Sequence, residues 1–165
     1  MKIADILAQR DPIEHYQDAG VAMRRAAARR EYECFDSGEV YLAWKSDQAV
    51  GLARALQVTG RVEGENDHRW YRTKEPEEIP LQEFDAVLMR KDPPFDMEYV
   101  YTTYLLELAE SLGARVINSP RAGRDHNEKL AIAKFPKFTH PTLVTRHESL
   151  IRDFRAEPRD IVPKP

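Results

Sequence analysis

The charged residues directly after the apolar segment 84–89 are the best candidates for chemistry in this sequence. Arg90, Lys91 and Asp92 follow that segment, and two consecutive prolines follow them. In an open parallel sheet, ligands bind just beyond the carboxyl ends of the strands. Two cations and a carboxylate suit an anionic substrate that also carries an amine, such as a peptide. A surface loop whose charges pair with one another fits the same residues, so both hypotheses stay open.

Two lysines are further candidates, in this case for binding an anion. Lys129 lies in a charged segment that is predicted to be helical, and lysine is a common phosphate ligand. Lys164 follows the apolar pair Ile161 and Val162, at the end of a predicted strand. From the residues alone, solvent is the favoured partner of both ammonium groups.

Other reactive side chains fit structural roles better. A basic cluster on the first predicted helix is interpreted as a solvated face, because no aromatic residue interleaves with it and acidic residues follow it; its members are Arg24, Arg25, Arg29 and Arg30. Cys34 lies on an apolar strand and is expected to be a small core residue. The 165 residues contain no glycine after Gly123, and therefore no recognisable glycine-rich phosphate loop.

The periodicity of the sequence predicts the elements that must position these residues. Strands are predicted at 1–7, 31–35, 39–44, 53–59, 84–89, 115–118, 142–145 and 160–164, and helices at 17–30, 97–113, 121–135 and 147–155. Residues 60–83 are polar and are expected to form a long excursion. The alternation of strands and helices predicts an α/β fold with a mainly parallel, Rossmann-like sheet and flanking helices.

The composition excludes several classes of protein. With 165 residues, 42% hydrophobic and 32% charged, the chain corresponds to about one globular domain. A net charge of −3 argues against a dedicated nucleic-acid-binding protein. A single cysteine and five scattered histidines exclude a disulfide scaffold and a zinc module. No apolar window reaches ~18 residues and no signal-peptide pattern is present, so we expect a cytoplasmic protein without a membrane partner.

Residues 89–96 and 99–107 resemble the signature of the bacterial (prokaryotic-type) glutathione synthetase family, which belongs to the ATP-grasp superfamily. The first of these segments contains Arg90 and Asp92, and the second opens the long predicted helix. Supporting matches appear in the family's order and spacing across nearly the whole chain, at residues 11–13, 22–23, 79–81, 118–120, 124–130 and 141–146.

The resemblance implies an ATP-dependent carbon–nitrogen ligase that joins γ-glutamylcysteine to glycine. ATP and Mg²⁺ would drive the reaction through an acyl phosphate on the cysteinyl carboxylate, largely by positioning and charge neutralisation. By the same resemblance, Lys129 and Lys164 contact ATP phosphates, and Arg90, Asp92 and Asp11 lie on the peptide-substrate side. It also implies a homo-oligomer, for which the helix near 97–112 offers a contact surface.

The sequence departs from the family pattern at several positions. Three residues intervene between the first strand and the Asp11 motif, and Asp5 falls inside that strand. Glu31 replaces a turn glycine that is usual in the family, and Ser119 replaces a lysine. Pro163 stands where a leucine usually precedes the ATP-contacting lysine.

The resemblance also predicts how the chain is organised. Residues 1–120 would form the N-terminal, substrate-side pre-ATP-grasp domain, and residues 121–165 the beginning of an ATP-grasp domain. The family's glycine-rich loop and magnesium ligands are expected beyond residue 165, so we expect an N-terminal portion without ligase activity by itself. Two alternatives stay open: a non-catalytic binding or assembly module that keeps the fold, and another ATP-grasp carboxylate–amine ligase.

Overall fold

A computed structural model describes residues 1–7, 19–38, 41–59, 71–90, 94–156 and 161–162 of the chain. These residues form two compact units, Met1–Asn127 and Glu128–Pro165. The sequence prediction places the boundary between its two regions after residue 120, which is within the short helix Pro120–Asp125 of the first unit.

The first unit contains eight described strands and three α-helices. The strands are β1 (Lys2–Leu7), β2 (Glu33–Gly38), β3 (Leu42–Lys45), β4 (Gln48–Val58), β5 (Tyr71–Thr73), β6 (Glu77–Pro80), β7 (Ala86–Met89) and β8 (Val116–Ile117). The helices are α1 (Ala19–Ala28), α2 (Met97–Ser111) and α3 (Pro120–Asp125). The strands form one sheet of order β3-β4-β2-β1-β7-β8, and β5 and β6 also pair with β4.

The sheet is mixed, with a parallel half and an antiparallel half. Strands β2, β1, β7 and β8 pair in parallel, as the predicted Rossmann-like arrangement requires, and this confirms the α/β fold. Strand β4 is antiparallel to β2, β3, β5 and β6. The two-residue connection between β3 and β4 explains this change, because so short a link can join only antiparallel strands.

The two faces of the parallel half have different compositions. Because successive residues of a strand point to opposite faces, β1 places Ala4 and Ile6 on one face and Asp5 on the other. The first face carries the main core beneath α2, whose largest members include Ile6, Phe35, Leu81, Phe84, Val87 and Leu106. The second face lies beneath α1 and has a smaller apolar cluster of Val21, Cys34 and Leu56. The expectation that Cys34 is a core residue is confirmed.

Helices α1 and α2 end in the same hydrogen-bonding pattern. After α1, the amide of Glu31 donates to Ala28 O at 3.0 Å and the next amide donates to Ala27 O at 3.1 Å. After α2, the amide of Gly113 donates to Glu110 O and the next amide donates to Ala109 O, both at 3.0 Å. This is the Schellman arrangement, which requires a left-handed residue. That residue is Gly113 at φ 99° in one case and Glu31 at φ 57° in the other.

Three segments differ from the sequence prediction. The described part of the 60–83 excursion contains β5 and β6, because the 11-residue strand β4 is long enough to pair with both. The predicted helix 121–135 is interrupted: α3 ends where His126 adopts φ −120° and ψ 61°. Residues 142–145 are not a strand, because no described residue of the second unit forms a strand with which they could pair.

The second unit consists of short helical segments. It contains α4 (Glu128–Ala131), 3-10 turns at Ile132–Lys134 and Pro136–Phe138, and α5 (Glu148–Ala156). None of its described side chains is buried. Several large apolar side chains are exposed instead, led by Phe138 at 87%. The described part of this unit therefore lacks a core of its own.

Candidate functional site

The structure places Arg90 where the sequence predicts it, at the carboxyl end of a parallel strand. Its backbone N–H donates a hydrogen bond to Ile6 O of β1 at 2.9 Å, directly after β7 ends. This bond continues the parallel pairing of β7 with β1 by one step. The Arg90 side chain is exposed. A guanidinium in this position is available to an anionic ligand at the edge of the sheet.

The other two predicted substrate-side residues lie outside the described part of the chain. Asp92 belongs to the undescribed residues 91–93, and Asp11 belongs to the undescribed residues 8–18. Both segments follow parallel strands, β7 and β1. Of the three predicted residues, Arg90 alone has a described position.

A buried ion pair lies between the sheet and α1. Asp5 is in the middle of β1, and Arg24 is in the middle of α1. The Nε of Arg24 donates to Oδ2 of Asp5 at 2.8 Å, and both side chains are less than a tenth exposed. In the register of the sheet, Asp5 lies opposite Asp36 of β2 and Leu88 of β7. The two carboxylates and the Arg24 guanidinium therefore share the face beneath α1, and Arg54, which lies opposite Asp36, belongs to the same face.

The electrostatics of Asp5 reflect this crowded environment. Burial is the largest influence and raises the pKa of the Asp5 carboxyl above its ordinary value. The Arg24 charge and hydrogen bond lower that pKa, the Asp36 carboxylate raises it, and the Arg90 charge lowers it. Both cations therefore oppose the effect of burial on this carboxyl.

The interpretation of the basic cluster on α1 as a solvated face is wrong for Arg24, which is 3% exposed. Its Nη2 is buried and has no hydrogen-bond partner within the described residues. The sequence contains a signal for this pair, since a carboxylate inside an apolar strand requires a buried cation. The signal shows that a partner is needed but not which of the arginines supplies it.

On the opposite face, a second arginine connects α3 to α2. Arg124 donates to Thr103 Oγ1 at 3.1 Å and to Glu107 Oε2 at 2.8 Å. Its guanidinium carbon lies 4.4 Å from the centroid of the Tyr104 ring. These contacts give Arg124 a structural role in packing α3 onto α2 within the first unit.

The phosphate-side candidates belong to the second unit. Lys129 is exposed on α4. Lys164 is among the undescribed residues 163–165. Within the described ranges, no group of three or more His, Cys, Asp or Glu side chains is placed to hold a metal ion.

Among the described residues, the structure contains no helix with the length and apolar character of a membrane span.

This chain is similar to several curated proteins named glutathione synthetase. It is 56% identical over all 165 residues to "Glutathione synthetase" of Nitrosomonas europaea, covering 51% of that protein. Over all 165 residues it is also 47% identical to "Glutathione synthetase" of Ralstonia nicotianae, covering 49% of that protein. It is 42% identical to "Glutathione synthetase" of Neisseria meningitidis serogroup A, covering 52% of that protein. The chain thus spans about half the length of the curated relatives it matches.

Two family profiles match the chain in succession. "Prokaryotic glutathione synthetase, N-terminal domain" matches residues 1–124, and "Prokaryotic glutathione synthetase, ATP-grasp domain" matches residues 128–165. The first match lies within the first compact unit, and the second match coincides with the second unit. Because the N-terminal profile covers 124 of the 165 residues and the ATP-grasp profile follows it, the chain belongs to the prokaryotic glutathione synthetase family.

Proposed function

We propose that this chain supplies the peptide-substrate side and the first phosphate contacts of a glutathione synthetase. The complete reaction would join γ-glutamylcysteine to glycine at the expense of ATP, with Mg²⁺ as the metal. The observation that carries the proposal is the tandem match of an N-terminal and an ATP-grasp profile to one chain. The two regions predicted from the sequence, 1–120 and 121–165, keep their substrate-side and ATP-side roles in this proposal.

On the substrate side, Arg90 binds a carboxylate of the dipeptide. Its guanidinium is exposed at the carboxyl end of β7, where ligands of parallel sheets bind. Its backbone is fixed to β1 by the hydrogen bond to Ile6 O. Asp92 and Asp11 follow two adjacent parallel strands in the sequence, β7 and β1, and we assign them to the amine of the same substrate.

On the phosphate side, Lys129 and Lys164 neutralise phosphate charge. When bound, ATP supplies the phosphoryl group that activates the cysteinyl carboxylate toward the glycine amine. Lys129 is exposed and therefore accessible to that charge. We assign no magnesium ligand, because none of the described residues forms a suitable acidic group.

Two measurements on the 165-residue polypeptide test this proposal. Incubated with γ-glutamylcysteine, glycine and Mg-ATP, it should release no ADP that depends on both substrates, because the 165 residues contain no glycine-rich loop. In calorimetric titrations it should bind γ-glutamylcysteine, and Arg90→Met should weaken that binding at least tenfold. Binding of neither peptide nor ATP would favour a non-catalytic module. Selective binding of another carboxylate would favour a different ATP-grasp ligase.

We also propose that the chain forms a homo-oligomer through α2. One face of this helix, extended by the C-cap residue Leu112, exposes apolar side chains at helical spacing: Met97, Tyr101, Tyr104, Leu108 and Leu112. Side chains of this size, about half exposed, present on the order of 500 Å². A stable dimer buries about 800 Å² on each partner, so this stripe supplies most of an interface.

Light scattering tests this assignment. Tyr101→Glu, which puts a charge in the centre of the stripe, should halve the molar mass or lower it further. Tyr41→Glu is the matched control, because Tyr41 is similarly exposed but lies on the antiparallel half of the sheet. A monomeric wild-type chain, or an equal effect of both variants, would contradict the assignment. A cytoplasmic location is part of the proposal and is tested by cell fractionation.

A further inference from the structure

We propose that Arg24 is a positioning residue. By binding the Asp5 carboxylate, Arg24 keeps the Arg90 guanidinium free to bind an anion. The inference rests on the proposed function in one respect, the role of Arg90 in binding substrate. Arg24 is buried within α1, so it would act on the ligand only through Asp5 and Arg90.

The sheet register places Asp5 and Arg90 within reach of each other. Asp5 lies opposite Leu88, and Arg90 follows Leu88 by two positions, which returns its side chain to the same face. The hydrogen bond from the Arg90 amide to Ile6 O fixes this offset. Because paired strands lie about 4.8 Å apart and two residues rise about 6.6 Å, the two side chains start about 8 Å apart, a distance that a long side chain spans. The effect of the Arg90 charge on Asp5 agrees with this geometry.

Arg24 occupies the position that Arg90 would otherwise fill. Its Nε is bonded to Oδ2 of Asp5 at 2.8 Å, whereas the Arg90 side chain forms no ion pair with any described residue. A buried carboxylate without a cation carries a large desolvation cost and attracts whichever guanidinium lies nearest. Without Arg24, that guanidinium is Arg90, which follows the strand next to Asp5, whereas Arg54 lies two strands away. The exposed arginine would then turn inward and lose contact with solvent and ligand.

Chemical labelling of Arg90 tests this idea without a ligand. Phenylglyoxal modifies free guanidinium groups, and peptide mass spectrometry at pH 8.5 reports the rate at Arg90 relative to exposed Arg115 in the same chain. In Arg24→Met, the Arg90 rate should fall about fivefold, as expected for capture in a partly exposed ion pair. In Arg24→Met/Asp5→Asn, where the Asp5 charge is removed as well, the rate should return to that of the wild type.

Two further variants make the result specific. Arg25→Met removes a neighbouring cation from the same helix without touching Asp5, and it should leave the Arg90 rate unchanged. Arg24→Gln retains a side-chain donor for Asp5 and serves if Arg24→Met does not fold; its Arg90 rate should also fall. Equal labelling of Arg90 in the wild type and in both Arg24 variants would overturn the inference. So would failure of the double variant to restore the rate.

Titration with γ-glutamylcysteine separates this inference from the proposed function. The peptide affinity should fall about fivefold in Arg24→Met, recover in the double variant, and be lost in Arg90→Met. If labelling follows the prediction but Arg90→Met binds the peptide normally, the substrate role of Arg90 is wrong and the positioning by Arg24 stands. If Arg90→Met abolishes binding while Arg90 is labelled at the wild-type rate in the Arg24 variants, the substrate role of Arg90 stands and the positioning by Arg24 is wrong.

Discussion

Glu31 is the residue at which one substitution should stabilise the protein. It occupies the left-handed position after α1 at φ 57°, where Gly113 occupies the matching position after α2. A side chain in this conformation costs about 1–2 kcal/mol. Glycine removes that cost but loses about 0.5–1 kcal/mol through the greater freedom of the unfolded chain. Since the Glu31 side chain is exposed, few contacts are lost, and Glu31→Gly should add about 1 kcal/mol to the free energy of unfolding.

The reverse change at Gly113 is the matched test. A Cβ added there meets no atom within 4 Å, so Gly113→Ala imposes the left-handed conformation on a side chain without a steric clash. This variant should lose about 1 kcal/mol. For a chain of this length, each change corresponds to a shift of roughly 2–4 °C in Tm, upward for Glu31→Gly and downward for Gly113→Ala.

Urea denaturation followed by circular dichroism measures both values. Glu31→Ala is the control that separates backbone conformation from charge, because it removes the carboxylate and keeps a Cβ. Its free energy of unfolding should lie within about 0.5 kcal/mol of the wild type. If Glu31→Ala stabilises the chain as much as Glu31→Gly, the gain comes from removing a negative charge at a helix C-terminus, and the conformational reasoning is refuted.

Four other predictions concern stability. Arg24→Met should cost about 3 kcal/mol or more in urea denaturation, whereas Arg24→Met/Asp5→Leu should lie within about 1 kcal/mol of the wild type. Burial raises the Asp5 pKa, so the native carboxyl keeps its proton at pH values where the unfolded one has lost it. The free energy of unfolding of the wild type, relative to that of Asp5→Asn, should therefore fall as the pH rises from about 4. A constant difference between the two proteins would contradict this. Asp96→Ala should cost about 1 kcal/mol, since the Asp96 carboxylate accepts the Tyr99 amide at 2.9 Å, and Asp96→Asn should retain most of that stability. Chymotrypsin should cleave after exposed Phe138 well before buried Phe35, as peptide mapping would show.

The sequence predicts the parallel half of the sheet well because its signals are local. Apolar runs mark β1 and β7, and Gly113 marks the end of α2. The same local signals place Arg90 at the carboxyl end of a strand. They fail for β5 and β6, whose residues become strands only because β4 extends far enough to pair with them. Pairing with a distant strand is a tertiary effect that residue propensity does not record.

The buried pair shows where prediction from one sequence stops. The position of Asp5 inside an apolar strand indicates that a cation must lie near it, yet α1 offers both Arg24 and Arg25. The choice between them depends on how α1 is rotated against the sheet, and that rotation is set by Val21 packing against Cys34 and Leu56. Arg24 and Arg25 follow Val21 by three and four positions and flank it on the helix surface, so the side of Val21 on which Asp5 lies decides the partner. The charge partner is therefore selected by apolar packing, and the electrostatics of the sheet edge follow from it.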